Sequence, residues 1–252
     1  MMFAVAVGEI GLQVATLVQQ KEAWQHYLPA YSHLFLAAAV IAASFVGWTL
    51  SPSPGGRQDV TEVFDPEFVV LLIDVALVVC YFILVRSVDF QKPETGDKIT
   101  YTPSAVPESR WIFWIFCIYL LWDVWTKIAV YVVRRFLQGI KDDDNWFPTV
   151  AVRFVPTVVC LFLAYRLWRG VSDKLGPSEV VAADAALLAV VLLFRALKDL
   201  CSAIFPRKGR AFSTGKLIVS GVCTVFFFVA FFICKHDALS GAPEWLRAFI
   251  IS

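Results

Sequence analysis

Charged side chains and asparagine are scarce in this chain, and no long polar stretch interrupts it. Asp, Glu, Lys and Arg make up 17% of its 252 residues, and asparagine occurs once, at Asn145. Trp146 and Phe147 follow that residue, so the chain contains no N-glycosylation sequon. The longest polar insert, residues 86–110, is about half the size of a small soluble domain. We therefore expect no separate soluble catalytic domain within it.

The chain also lacks charge imbalance and the common catalytic motifs. Its net charge is +1, which gives no field that favours nucleic acid as a partner. HExxH, GxSxG, P-loop and GxGxxG patterns are absent from the sequence, so we expect no enzyme of those classes. The six cysteines show neither CxxC nor Cys/His spacing. We interpret them as small packing residues and expect no metal or other cofactor.

What the chain does have is long apolar runs. They occupy roughly residues 31–50, 68–85, 111–133, 149–165, 180–194 and 217–234. A hydrocarbon core about 30 Å thick takes about 20 helical residues to cross. The runs predict an all-α, polytopic transmembrane bundle of about six spans. Five spans remain an alternative if 180–194 is re-entrant. With six spans Lys and Arg divide evenly between the two sides of the membrane and give no orientation, whereas with five spans the division is uneven.

The first residues form a different kind of segment. Apolar side chains recur at helical spacing at Phe3, Val7, Ile10, Val14 and Leu17, and polar ones at Glu9, Gln13, Thr16 and Gln20. Such a double stripe is typical of an amphipathic helix at the membrane interface or against a partner. No Lys or Arg precedes residue 21, so the charged region of a secretory signal is missing. We predict an interfacial helix and linker over residues 1–28 and a transmembrane domain over 29–252.

Carboxylates inside the apolar runs are the candidate functional groups. Asp74, Asp123 and Asp184 lie in the second, third and fifth runs, where a charge is costly and tends to mark a pathway or a site held by a partner. In the third run one helical face carries Tyr119, Asp123, Lys127 and Arg134. An Asp123–Lys127 pair can simply neutralise itself, or the whole face can line a hydrated path. Both interpretations stay open.

The other two carboxylates have no partner on their own segments. Asp74 and Asp184 must therefore meet a donor on another helix or be protonated, in which case either could act as a relay. Arg153, isolated in the fourth run, is the candidate partner of Asp74. His33 is interpreted as an interfacial polar residue that could titrate near neutral pH. The basic residues Arg207, Lys208 and Arg210 are expected to contact anionic headgroups.

These features predict a membrane protein that passes ions, protons or a small solute, as a channel subunit or small transporter. So small a bundle has little interior, so a pore would form more naturally at the axis of a homo-oligomer. The alternative is a non-transporting anchor or effector that recruits a membrane or cytosolic protein through its basic loop and N-terminal helix. An intramembrane enzyme ranks last. Alanine- and valine-rich, asparagine-poor composition favours a bacterial cytoplasmic membrane.

Overall fold

The computed structural model describes residues 2–19, 27–50, 66–87, 90–91, 100–101, 104–132, 146–172, 174–205 and 213–239. This part of the chain is helical apart from a two-stranded antiparallel ribbon, which confirms the predicted all-α bundle. The helices are α1 (Met2–Val18), α2 (Leu28–Leu50), α3 (Pro66–Arg86), α4 (Val106–Val132), α5 (Trp146–Gly170), α6 (Pro177–Ile204) and α7 (Thr214–Ala238). The ribbon strands are β1 (Phe90–Gln91) and β2 (Thr100–Tyr101).

Four of the helices are long and apolar enough to cross a membrane. These segments are Leu28–Gly47, Phe68–Arg86, Pro177–Ile204 and Thr214–Ala238. They indicate a membrane protein. The predicted run 180–194 is the middle of α6, a helix of 28 residues and about 42 Å. Its length removes the reason for treating that run as a short re-entrant segment.

Local sequence signals start several of these helices. The α3 helix begins at Pro66, whose missing N–H costs nothing in a first turn. At the start of α6 the backbone N–H of Gly176 donates to Glu179 Oε2 at 2.8 Å. Ser213 Oγ accepts from the backbone N–H of Lys216 at 3.3 Å at the start of α7. Each contact satisfies a group that a helix terminus leaves without an intrahelical partner.

The α2, α4 and α6 helices run in the same direction. His33 lies beside Glu108, and eleven residues further along both helices Ser44 lies beside Tyr119. Asp184 of α6 contacts the residue before His33, which places the start of α6 at the same level. We call this level of the bundle the His33 end.

The α3, α5 and α7 helices run the opposite way. The carbonyl of Leu84, near the end of α3, reaches His33 near the start of α2. Near the end of α5, Trp168 stacks on Phe113 from the first turns of α4. The last residue of α7, Ala238, packs in a cluster with Val180 from the start of α6. The six helices α2–α7 thus alternate in direction.

The hydrophobic core lies between α2, α3, α4 and α6. Its fully buried members include Leu36, Leu84, Ile112, Leu187 and Leu193. The α5 helix covers α4 and α6 from the side, and α7 packs along α6. Only 11% of the α7 span is buried inside the protein, so most of its apolar surface faces outward.

The α1 helix packs its polar stripe inward. Glu9 is 6% exposed, whereas Val7 and Val14 of the apolar stripe are 55% and 36% exposed. Arg86 Nε lies 2.6 Å from Glu9 Oε1, and Gln13 Nε2 donates to the same oxygen at 3.0 Å. Since these contacts satisfy the carboxylate, Glu9 can be buried against α2 and α3. Leu17 of the apolar stripe is 2% exposed and also packs in the core, so only part of that stripe faces outward.

Candidate functional site

Titratable side chains from three helices meet at the His33 end. Ser32 and His33 come from α2, Glu108 from the first turn of α4, and Asp184 from the second turn of α6. His33, Glu108 and Asp184 are 1%, 3% and 2% exposed. We call these four residues the His33 cluster. Glu108 lies at the positive end of the α4 dipole, which favours a carboxylate there.

The His33 ring bridges two helices. Its Nε2 lies 2.7 Å from the carbonyl oxygen of Leu84, and its Nδ1 lies 3.1 Å from Glu108 Oε1. A carbonyl oxygen only accepts hydrogen bonds, so Nε2 carries a proton. The hydroxyl of Ser87 donates to the same carbonyl at 2.7 Å and lies 3.4 Å from Nε2. Whether Nδ1 also carries a proton depends on the neighbouring carboxyl group of Glu108.

Asp184 is held against α2. Its Oδ2 lies 2.5 Å from Ser32 Oγ, and that hydroxyl also lies 2.8 Å from the carbonyl oxygen of Pro29. The Asp184 carboxyl is also within electrostatic range of His33 and Glu108. The carboxyl thus meets a group on another helix rather than on its own.

The cluster contains polar atoms that the protein does not satisfy. In the described part of the chain, three buried side-chain polar atoms have no hydrogen-bond partner: His33 Nδ1, Glu108 Oε2 and Asp184 Oδ1. The 3.1 Å contact at Nδ1 is close enough for an ion pair but poorly aligned for a hydrogen bond. Since buried polar groups are nearly always paired, three such atoms in one place mark this cluster as the candidate site.

A second set of polar side chains lies at mid-bundle, and its members bond to one another. The hydroxyls of Ser44, Tyr81 and Tyr119 form a triangle with O···O distances of 2.5, 2.5 and 3.0 Å. Each hydroxyl can donate to one neighbour and accept from the other. Asp74, half-buried on α3, acts electrostatically on both tyrosine hydroxyls. The triangle ties α2, α3 and α4 together without requiring a ligand.

A third group lies towards the opposite end. Lys198 Nζ, from α6, donates to Asp123 Oδ2 at 2.7 Å, and Thr157 Oγ1, from α5, donates to the same oxygen at 2.6 Å. The ammonium also lies 5.3 Å from the centre of the Phe194 ring. Asp123 is 8% exposed. These contacts join α4, α5 and α6, and they hold the carboxylate as a partnered anion.

An apolar layer separates the His33 cluster from the other two groups. It surrounds a cavity of about 10 Å³, close to the least space that one water molecule needs. The lining comprises Val40, Ala43, Ile112, Ile115, Phe116, Tyr119, Val191 and Phe194. Because this lining is apolar, a water molecule would find almost no partners there. This cavity therefore has neither the room nor the polar lining for a chain of water molecules.

The predicted site residues fall into different places. Asp184 belongs to the His33 cluster, Tyr119 to the hydroxyl triangle with Asp74 nearby, and Asp123 to the Lys198 contact. The remaining predictions lie outside the described residues or side chains. Lys127 and Arg153 are on α4 and α5 but their side chains are not described, and Arg134, Arg207, Lys208 and Arg210 lie outside the described ranges.

Sequence reasoning missed Ser32, Glu108 and Lys198 and gave His33 only an interfacial role. Glu108 follows a proline at the start of a helix, where an acid is usually explained by the helix terminus alone. His33 lies five residues into α2, a depth at which histidine is ordinary in an interface. The one available signal is that α2, α4 and α6 each carry a titratable residue near their first residue.

Neither a metal-binding arrangement nor a similar protein indicates a function for this chain. In the described ranges no group of three His, Cys, Asp or Glu side chains is arranged to hold a metal ion. Comparison of the chain with protein-family models, with curated proteins and with solved structures finds no match. The functional argument therefore rests on the geometry of the clusters.

Proposed function

We propose that this chain is a multi-pass membrane protein that passes ions, protons or a small solute, with the His33 cluster as its binding site. The observation that carries the proposal is the set of three buried, unsatisfied polar atoms on His33, Glu108 and Asp184. Each such atom costs about 1–3 kcal/mol, so together they represent a substantial stability cost. A ligand that binds and leaves would account for a site kept in this state.

Helix geometry supports a multi-pass arrangement. Six long helices alternate in direction, and four of them have the length and composition of membrane spans. We place all six across the membrane, in a bacterial cytoplasmic membrane as the composition suggests.

The apolar layer restricts the mechanism. Passage through one copy requires a conformational change that opens the layer around Ile112 and Val191. Alternatively, the path lies between copies of a homo-oligomer, with the outward surface of α7 available for contacts. The first route resembles a transporter and the second a channel subunit.

Flux into proteoliposomes tests the proposal. The parent is reconstituted and challenged with gradients of H⁺, Na⁺, K⁺ and Cl⁻ and with small solutes. Asp184→Asn should lower flux of the permeant species about 10-fold or more. Asp237→Asn is the matched control, because that carboxyl is 66% exposed near the same end of the bundle. Unchanged flux in the Asp184 variant, or no flux in the parent, would contradict a pathway through this site.

A non-transporting anchor or effector is the second candidate. The outward apolar surface of α7 and the fully partnered Asp123 favour it, because both suit a static scaffold. This function predicts liposomes as tight as empty ones for every species tested, together with a parent that is stably folded.

A further inference from the structure

We propose that the ligand of the His33 cluster is the proton, and that the cluster at rest holds two exchangeable protons shared among His33, Glu108 and Asp184. The inference rests on the proposed function, since it names the species that the site binds. It depends on three observations: the fixed tautomer of His33, the single hydroxyl proton of Ser32, and the burial of the whole cluster.

The first observation concerns which nitrogen of the His33 ring can gain or lose a proton. Its Nε2 donates to the carbonyl of Leu84 at 2.7 Å, and a carbonyl has no proton to give in return. Nδ1 is therefore the position where a proton is gained or lost. Glu108 Oε1 lies 3.1 Å away, so the charge of each group favours one proton on the pair as a whole. The pair is either imidazolium with carboxylate or imidazole with carboxylic acid.

The second observation assigns a proton to Asp184. Ser32 Oγ has one proton but lies within hydrogen-bond distance of two oxygens, Pro29 O at 2.8 Å and Asp184 Oδ2 at 2.5 Å. The hydroxyl can donate to either oxygen, but if it donates to Asp184 the contact with the Pro29 carbonyl has no proton, because a carbonyl can only accept. Both contacts are satisfied only when the hydroxyl donates to Pro29. The remaining contact is then satisfied when Asp184 is a carboxylic acid that donates from Oδ2 to Ser32 Oγ.

Charge balance also gives two exchangeable protons for the resting cluster. With two protons on Nδ1, Glu108 and Asp184 the cluster has no net charge, with one proton it is an anion, and with three a cation. All three side chains are 3% exposed or less, and a net charge at such a site is strongly disfavoured. The neutral, two-proton state is therefore the resting state.

The groups around the cluster suit a proton better than a metal ion. The α2 helix contributes Ser32 and His33, and α3 contributes the Leu84 carbonyl, with Ser87 directly after its last residue. Glu108 comes from α4 and Asp184 from α6. Nε2, the usual ligand atom of histidine, is already occupied by the carbonyl. Mg²⁺ and Ca²⁺ require about six or more oxygen ligands, whereas a proton requires one atom and no cavity.

The cluster is buried but lies near the surface of the bundle on one side. Ser87, half-buried at the end of α3, lies 3.4 Å from Nε2 and follows Arg86, whose side chain is 59% exposed. Towards the other end the apolar layer intervenes. The His33 end is therefore the side from which we expect protons to reach the cluster.

Infrared difference spectroscopy of the full-length protein in lipid nanodiscs tests the proton on Asp184. At neutral pH the parent should show the carbonyl stretch of a protonated carboxylic acid, shifted on transfer to D₂O. Asp184→Asn should lose the component of that band that comes from Asp184, and Asp237→Asn should keep it. Ser32→Ala, which removes the acceptor without touching the acid, should shift the band. A parent without the band, or a band unmoved in both site variants, would overturn the proposal.

Nitrogen NMR of histidine tests the other half of the cluster. The chain has three histidines, so a His33→Gln variant assigns the spectrum. His236, whose side chain is 82% exposed, is the internal reference for a histidine in contact with solvent. His33 should keep a protonated Nε2 throughout the same pH range. Free tautomer exchange at His33, as in His236, would overturn the fixed-tautomer argument.

Addition of Ca²⁺, Zn²⁺ or Na⁺ in separate samples tests the choice of ligand. The acid band should persist in each, and its loss with one ion would overturn the proton as ligand in favour of that ion. The spectra are independent of flux. An acid band without flux in any liposome assay would contradict the proposed pathway but not the proton site. Flux without the acid band would contradict the proton site but not the pathway.

Discussion

Replacing Lys198 by Met should destabilise the bundle through the carboxylate that it leaves behind. Methionine keeps most of the length of the side chain but removes the ammonium that lies 2.7 Å from Asp123 Oδ2. The Asp123 side chain is 11% exposed, so water does little to replace the lost charge. Thr157 continues to donate one hydrogen bond to the same oxygen.

The expected loss follows from these surroundings. Removing one partner of a fully buried ion pair costs about 3–5 kcal/mol. Here the Lys198 side chain is 25% exposed and Thr157 remains, so we expect a loss below that range, about 2–3 kcal/mol. Asp123→Asn should cost less, about 1–2 kcal/mol, because the partly exposed ammonium that it leaves can reach water. The double variant should recover part of the sum, with a coupling energy of about 1–2 kcal/mol.

Reversible unfolding in mixed detergent micelles measures all four proteins. Asp199→Asn is the matched control: Asp199 lies on the same helix, its side chain is 42% exposed, and its oxygen is 3.9 Å from Arg195. That variant should change stability by no more than about 0.5 kcal/mol, as exposed pairs do. Strictly additive losses in the Asp123/Lys198 double variant would show that the two side chains do not stabilise each other, and would refute the reasoning.

Three further outcomes are expected. Tyr81→Phe removes one hydroxyl of the triangle and should cost about 1–2 kcal/mol in the same unfolding assay. Adding Ser44→Ala should cost less than it does alone, because the triangle is already broken. Equal, independent losses would contradict a closed triangle of hydroxyls. Glu9→Ala should release α1 and speed proteolysis within it, because Arg86 and Gln13 lose their shared acceptor; an unchanged cleavage rate would show that the contact does not hold the helix. Cysteines placed at 55–56 and at 142–145, beyond the described ends of α2 and α4, should be labelled from the same side of the membrane because the two helices run in parallel; opposite-side labelling would contradict the alternating arrangement.

Helices and buried acids are the parts of this protein that its sequence predicts. An apolar run of membrane length can be identified without knowledge of its neighbours, and Asp65-Pro66-Glu67 marks the first residue of α3. An acid inside such a run is conspicuous for the same reason, which is how Asp123 and Asp184 were found. Both are buried in the structure.

Partners across helices are much harder to predict. Sequence spacing identifies neighbours on one helix, so Lys127 was the natural partner for Asp123, whereas the structure pairs the acid with Lys198, distant in sequence. The Asp74–Arg153 pair stays a prediction, because the Arg153 side chain is not described. In the described bundle α3 and α5 lie on different sides of α4 and share no extended interface.

The inward-facing acid of α1 sets an order of events during membrane insertion. Glu9 is synthesised well before Arg86, the residue that neutralises it. Until α3 has emerged, α1 can enter the hydrocarbon only with an unpaired carboxylate, which costs about 2.5–3.5 kcal/mol for Asp on insertion scales. The surface of the bilayer is then the more favourable place for it. The α1 helix is thus seated only after α3 has emerged, although it precedes α3 in the chain.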